Sequence, residues 1–223
     1  MSTPDRPDLS ARLAPEPQAQ ARARAYAAPE ASISEIRPHL FIGNIYSSYR
    51  REALEPNHIT AILSILDARH ALWSSQRVRR LVPEENHLYV PCLDNSTMNL
   101  LPFMARVCDF IDKHATAGAD SNVLVHCQAG VSRSAAVVVA YLMRRDGMAL
   151  DDAIEAVRER RRVRPNANFM DQLRVWEAVG YQIWQDEQGA VPKDAYRAFL
   201  DKRAALLESM GLTGDEPIGM PGL

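Results

Sequence analysis

The chain has 223 residues, of which 47% are apolar, and a formal net charge of −2 at pH 7. This length suits one domain with extensions or two small domains, and the near-neutral charge provides no overall basic field for nucleic acid. No apolar run reaches the roughly 20 residues that span a bilayer, and the N-terminus has no hydrophobic signal segment, so we expect neither a membrane span nor secretion.

Residues 1–30 are dominated by proline, alanine and arginine and contain almost nothing that could build a core. This composition predicts a disordered tail. The cysteines are few and odd in number, at positions 92, 108 and 127, which is typical of a reducing compartment. We therefore expect the protein in the cytoplasm, the nucleus or both.

Four segments after the tail have the composition of β-strands. In chain order they are HLFIG (39–43), ITAILSILD (59–67), HLYVPC (87–92) and NVLVHC (122–127). The second is a continuous apolar run rich in isoleucine, as expected of a strand that is covered on both faces.

Helical patterns lie between and after these strands. They cover 47–58, 99–116, 132–147, a segment marked by Leu150 to Val157, 168–184 and 192–208. Strands thus alternate with helices first, and a helical cluster then closes the chain. This order predicts an α/β fold with a central, mostly parallel sheet flanked by helices, and a helical C-terminal extension.

The stretch HCQAGVSRS, residues 126–134, joins a predicted strand to a predicted helix. A turn in this position exposes backbone N–H groups and the positive end of the helix dipole, which together bind anions such as phosphate. Gly130 permits backbone angles that a side chain would forbid, and Arg133 offers a planar fork suited to phosphate oxygens.

Cys127 precedes this arginine with five residues between them, at the bottom of the expected anion site. The same dipoles lower the pKa of a thiol and favour the nucleophilic thiolate. A thiolate beneath a bound phosphate predicts attack on phosphorus, a cysteinyl-phosphate intermediate, and stabilisation of the equatorial oxygens by loop amides and Arg133.

The leaving oxygen then needs a proton from another loop at the same edge of the sheet. Asp94 follows the strand HLYVPC and opens a polar stretch, whereas Asp109 and Asp112 fall within a helix and are typical surface charges. We therefore select Asp94 as the acid, and as the base toward water in the second step. The Ser134 hydroxyl could donate to the sulfur as it departs. This chemistry requires no metal and no cofactor.

HCQAGVSRS resembles the signature of the protein tyrosine phosphatase superfamily, His-Cys, five residues, Arg-Ser/Thr, and the chain more narrowly resembles dual-specificity phosphatases. Four further stretches support this: LFIGN, DFIDKH, AYLMRRDGMALDDAIEAVRERR and VRPNANFMDQL. The resemblance covers about residues 33–180. It implies a phosphatase fold of the dual-specificity type, with a catalytic domain over 31–182 and an extension over 183–223. The residues before it do not resemble a kinase-docking domain, so we expect one of the small, atypical members.

The resemblance implies Cys127 as nucleophile, Arg133 as phosphate ligand and Asp94 as general acid and base. It also implies that His126 tunes the thiolate through the loop and that Ser134 assists hydrolysis of the intermediate. The remaining phosphate ligands would be backbone N–H groups, those of Gln128, Ala129, Gly130, Val131 and Ser132.

Asn166 would buttress the phosphate loop in such a protein. The implied activity is hydrolysis of phosphotyrosine and of phosphoserine or phosphothreonine in phosphorylated proteins, with no cofactor. The oligomeric state is not predicted by any feature of the chain.

Other functions remain open. A nonprotein phosphoester, such as a phosphoinositide or an RNA 5′ end, is a second substrate class, although the uncharged loop interior QAGVS favours protein or small-molecule esters. A sulfurtransferase also uses a loop cysteine, but the Arg-Ser pair entering the helix and Asp94 argue against it. A phosphate-binding pseudoenzyme would be expected to lack Cys127, Arg133 or Asp94, and all three are present.

Two further features have alternative interpretations. Cys92 could form a reversible disulfide with the nucleophile, or it could be an ordinary core thiol, which we favour. The five arginines of VRERRRVRPN are typical of a solvated helix end, and one or two of them could lie near the substrate.

Overall fold

A computed structural model describes residues 30–118 and 120–216, so that nearly all of the predicted N-terminal tail lies outside the described residues. Its centre is one five-stranded sheet with the spatial order β1-β2-β5-β3-β4. The strands are β1 Ile33–Arg37, β2 Leu40–Gly43, β3 Ile59–Leu66, β4 His87–Pro91 and β5 Asn122–His126. Strands β2, β5, β3 and β4 run parallel to one another, and β1 is antiparallel to β2. The predicted α/β class and mostly parallel sheet are confirmed.

Strand β1 is the one strand that the sequence did not predict. Its segment ISEIR alternates poorly and is mostly half-buried, because it occupies the edge of the sheet. A tight turn at His39, with φ of 70°, folds β1 back onto β2. An edge strand of this kind needs few apolar residues, so its pattern is weak.

Besides three short 3-10 helices, seven α-helices occur in the described residues. They are α1 Arg51–Leu54, α2 Gln76–Arg79, α3 Leu101–Ala115, α4 Arg133–Asp146, α5 Leu150–Arg158, α6 Ala167–Ala178 and α7 Asp194–Met210. Helices α3 to α6 bury their apolar residues with one face of the sheet in the main core. The short helices α1 and α2 contribute Leu54 and Val78 to a second cluster with Ile62 and Leu124 on the opposite face. None of the helices described is long and apolar enough to cross a membrane.

Helix α4 is central to this arrangement. Its run SAAVVVAYLM is buried on every side, which explains why the sequence is apolar without a clear helical face. The helix ends at Gly147, which adopts the left-handed conformation that favours glycine at this position. Strand β5 and helix α4 thereby hold the two ends of residues 127–132 in fixed positions.

Helix α6 is shorter than the predicted 168–184. It ends at Ala178 because Gly180 and Tyr181 both have a φ of 63°, which reverses the chain direction. The chain then forms an isolated bridge between Trp184 and Pro192 and enters α7. Helix α7 lies close to the predicted 192–208 and packs against α6.

Candidate active site

The carboxyl ends of the parallel strands bring the predicted site residues to one edge of the sheet, as expected for an open α/β sheet. Asp67 follows β3, Asp94 follows β4 and Cys127 follows β5. A cavity of about 350 Å³ opens there. Its lining consists of Asp94, Cys127, Gln128, Ala129, Val131, Ser132, Arg133, Arg164 and Asn166.

Residues 127–133 are here called the cysteine loop, and four of their carbonyl oxygens bond segments outside the loop. Each carbonyl from Gln128 to Val131 accepts a hydrogen bond from a neighbouring segment. The donors, in that order, are Ile45 N (3.2 Å), Arg161 Nη2 (3.4 Å), Arg161 Nε (2.8 Å) and Arg164 N (2.9 Å). The N–H group after each carbonyl points the opposite way across a trans peptide, so the amides of residues 129–132 face the cavity. Such a ring of N–H groups is an anion site.

Arg161 supports the cysteine loop from behind. Its guanidinium bonds the carbonyls of Gly130 and Ala129 and the Oγ of Ser34, the last at 3.1 Å. The arginine run therefore does not act only as a solvated helix end. Five arginines in seven residues look alike in the sequence, and only the packing selects Arg161 for this position.

The Cys127 sulfur lies at the centre of the loop and is almost completely buried. It accepts a hydrogen bond from the Gly130 N–H at 3.3 Å and lies 3.3 Å from the Ser134 Oγ. Burial by itself raises the pKa of this thiol. The hydrogen bonds from the Ser134 side chain and backbone, the charge of Arg133 and the Val131 amide outweigh burial, and the pKa is lowered overall. These contacts stabilise the thiolate relative to that of an ordinary cysteine.

The other two thiols are inert by comparison. Burial raises the pKa of Cys92 to about 12 and that of Cys108 to about 12. All three cysteines are free. The disulfide between Cys92 and Cys127 therefore stays a hypothesis.

Limiting iodoacetate should alkylate Cys127 before Cys92 and Cys108 at near-neutral pH, because only the first has a lowered pKa. Replacing Ser134 with alanine removes a hydrogen bond to the sulfur, so the midpoint of the alkylation rate against pH should move upward. Peptide mass spectrometry over a pH series measures both effects. The two buried thiols are internal controls. Equal labelling of all three cysteines, or an unchanged midpoint in Ser134→Ala, would contradict this account.

His126 lies beneath the loop and is completely buried. Burial first, and the neighbouring His87 next, lower its pKa to about 3, so the ring is neutral. Its Nε2 lies 2.6 Å from the Ser64 Oγ, which also lies 2.7 Å from the Nε2 of His87. The Nδ1 atom is 3.4 Å from the Cys127 carbonyl. Any tuning of the thiolate by His126 therefore acts through hydrogen bonds and not through a positive charge. Its partners Ser64 and His87 were not indicated by the sequence.

Arg133 places a buried guanidinium beside the sulfur. Its Nη1 donates to the Cys92 carbonyl at 2.8 Å, while its Nε is buried and has no hydrogen-bond partner among the described residues. The carboxylate oxygens of Asp94 and Asp67 lie 3.6 Å from Nε and 3.9 Å from Nη1. A buried, unpaired N–H group is costly unless a ligand satisfies it, so Nε is a donor suited to a phosphate oxygen. Asp67, at the end of β3, was missed although it follows a strand as Asp94 does.

Asp94 lies on the rim of the cavity. Its Oδ1 accepts hydrogen bonds from the Ser132 Oγ at 2.8 Å and from the Asn166 Nδ2 at 2.7 Å. Asn166 also donates its backbone N–H to the Ser132 Oγ at 3.1 Å and caps α6 by accepting from the Phe169 N–H. The expected support residue thus joins the cysteine loop to the predicted acid.

The chain is similar to proteins of known family. The family model described as the dual specificity phosphatase catalytic domain matches residues 40–179. Human dual specificity protein phosphatase 1 is 35% identical over 145 residues, which are 65% of this chain and only 37% of that protein. The chain therefore matches little more than a third of that relative's length.

Solved structures give the same result for the fold. The human tyrosine phosphatase-like serine/threonine/tyrosine-interacting protein is 36% identical with a TM-score of 0.59, over 66% of this chain and 96% of that chain. The Yvh1 phosphatase domain from Chaetomium thermophilum is 28% identical with a TM-score of 0.59, over 67% and 97%.

Proposed function

The chain belongs to the dual specificity phosphatase family, and on this basis we propose that it is a cysteine-dependent protein phosphatase. Its substrates are phosphotyrosine and phosphoserine or phosphothreonine in phosphorylated proteins. The small, odd number of cysteines supports the cytoplasm or the nucleus as its location.

One observation carries the proposal. The Cys127 sulfur, with its lowered pKa, lies inside a loop whose amides face a cavity, and the buried Arg133 Nε beside it has no hydrogen-bond partner among the described residues. This set of donors is complementary to a phosphoryl group whose phosphorus lies above the sulfur.

The reaction has two steps. In the first, Cys127 forms a bond to phosphorus while the ester P–O bond breaks, and Asp94 gives its proton to the leaving oxygen. In the second, a water oxygen attacks phosphorus, Asp94 takes the water proton, and the S–P bond breaks. The Ser134 hydroxyl, 3.3 Å from the sulfur, stabilises the thiolate as it departs.

Replacing Asp94 with asparagine tests the acid. We expect kcat/KM for phenyl phosphate to fall about 10²-fold, because the phenolate leaves poorly without a proton. The loss for p-nitrophenyl phosphate should be much smaller, because nitrophenolate is a good leaving group. The assay measures both rates across pH with EDTA present.

Asp109→Asn is the matched control, because Asp109 lies on α3 and pairs with Arg144, away from the cavity. An equal loss of kcat/KM for the two esters in Asp94→Asn would show that Asp94 is not the general acid. A wild type that binds phosphate but hydrolyses neither ester would favour the pseudoenzyme. Phosphotyrosine and phosphothreonine peptides, compared with a phosphoinositide and an RNA 5′ end, then separate protein from nonprotein substrates.

A further inference from the structure

The segment that carries Asp94 is contacted by the C-terminal helix α7. This segment, residues 94–99, is here called the acid loop. The Arg203 Nε donates to the Thr97 carbonyl at 2.6 Å, and the Asn99 Nδ2 donates to the Tyr196 hydroxyl at 3.0 Å. Tyr196 is buried and Arg203 is half-buried. Both residues lie beyond residue 179, where the match to the family's catalytic domain ends.

The acid loop lies outside the sheet, and its backbone is held by hydrogen bonds with side chains. The Asn95 Oδ1 accepts from the Thr97 and Met98 N–H groups at 3.2 and 2.9 Å, which closes a turn. The Asn168 Nδ2 of helix α6 donates to the Asn95 and Met98 carbonyls at 3.0 and 2.8 Å. The position of this loop therefore depends on a few side chains of α6 and α7.

We propose that helix α7 braces the acid loop, and that Arg203 is the positioning residue through which it holds Asp94 in place for proton transfer. This inference rests on the proposed function, because it assumes that Asp94 is the general acid.

Two physical points favour Arg203 over the other described hydrogen bond of α7 with this loop, that of Tyr196 with Asn99. Its hydrogen bond is charge-assisted and short, and such bonds are stronger and more directional than neutral ones. Its acceptor is only three residues from Asp94 along the chain, so loss of the bond should widen the range of positions that the carboxylate samples. A displacement of about 1 Å in a proton donor is sufficient to slow a reaction severely.

The test is Arg203→Met in the full chain, which keeps the aliphatic stem and removes the donor. We expect kcat/KM for phenyl phosphate to fall about tenfold, with little change for p-nitrophenyl phosphate. The ratio kcat/KM is the correct quantity because it covers only the steps up to expulsion of the leaving group. In the Asp94→Asn background, Arg203→Met should cause no further loss, because the residue acts through Asp94. Arg203→Lys should restore part of the rate.

Lys202→Met is the matched control. Lys202 is the preceding residue of the same helix, is exposed, and forms an ion pair with Asp171 at 3.4 Å. It should leave both rates unchanged. Thermal unfolding of each variant shows whether the fold is kept.

The outcomes separate the two proposals. A wild type that hydrolyses neither ester overturns both. If wild type and Asp94→Asn behave as proposed, two results overturn the inference alone. The first is an equal loss for both esters in Arg203→Met, and the second is a further loss in the double variant.

Discussion

Replacing Cys127 with serine should abolish hydrolysis of every phosphate monoester that the protein accepts, with a loss of about 10⁴-fold or more in kcat. The substitution replaces a thiolate nucleophile with a much weaker neutral hydroxyl. Hydrogen bonds from Ser134 and Gly130 and the charge of Arg133 favour a thiolate, whereas a serine hydroxyl stays protonated in the same place. Removal of that proton would need a base, and the proposed mechanism assigns none to this step.

Phosphate binding should survive this substitution, because the amides of the cysteine loop and Arg133 remain. Isothermal titration calorimetry with a phosphotyrosine peptide measures the affinity, and a p-nitrophenyl phosphate assay measures the rate. Cys108→Ala, on the buried face of α3, is the control and should keep the kcat of the wild type. Residual turnover within tenfold of wild type in Cys127→Ser would mean that another group is the nucleophile.

Replacing Gly130 with alanine should remove most activity and also destabilise the fold. Gly130 has a φ of 69°, and a β-carbon there would lie 2.5 Å from the Gly43 carbonyl oxygen and 2.7 Å from the Arg161 Nη2. The backbone contact cannot relax without moving the cysteine loop. The loop N–H groups would then no longer point at the phosphoryl oxygens, and we expect kcat/KM to fall about 10³-fold.

Gly147→Ala is a matched control for the backbone angle. Gly147 has a φ of 66°, and nothing lies within 4 Å of an added β-carbon. It should lower the free energy of unfolding by about 1 to 2 kcal/mol, the cost of the left-handed conformation. Gly130→Ala should lose about 1 to 3 kcal/mol more because of the clash. Urea unfolding measures both. Equal destabilisation with retained activity in Gly130→Ala would contradict the packing described for the loop.

A large part of the site could be predicted from the sequence because it is local. The strand β5, the cysteine loop and helix α4 are consecutive, so the anion site, Cys127 and Arg133 follow from a strand, a glycine turn and a helix N-terminus. Asp94 followed from a more general rule, that parallel strands end at the same edge of a sheet. The family resemblance added Asn166, and the structure places it between the loop and Asp94.

The tertiary structure alone decided which distant side chains support these groups. These side chains are distant from their partners in the sequence, by 31 residues for Arg161, 62 for Ser64 and 106 for Arg203. No local pattern marks them. Arg161 lies in the irregular segment after α5, where no periodic pattern indicates which of several arginines faces the cysteine loop, so only the packing selects it. The sequence by itself thus determined the chemistry of the consecutive loop. Packing over long chain separations determined what holds that loop and its acid in place.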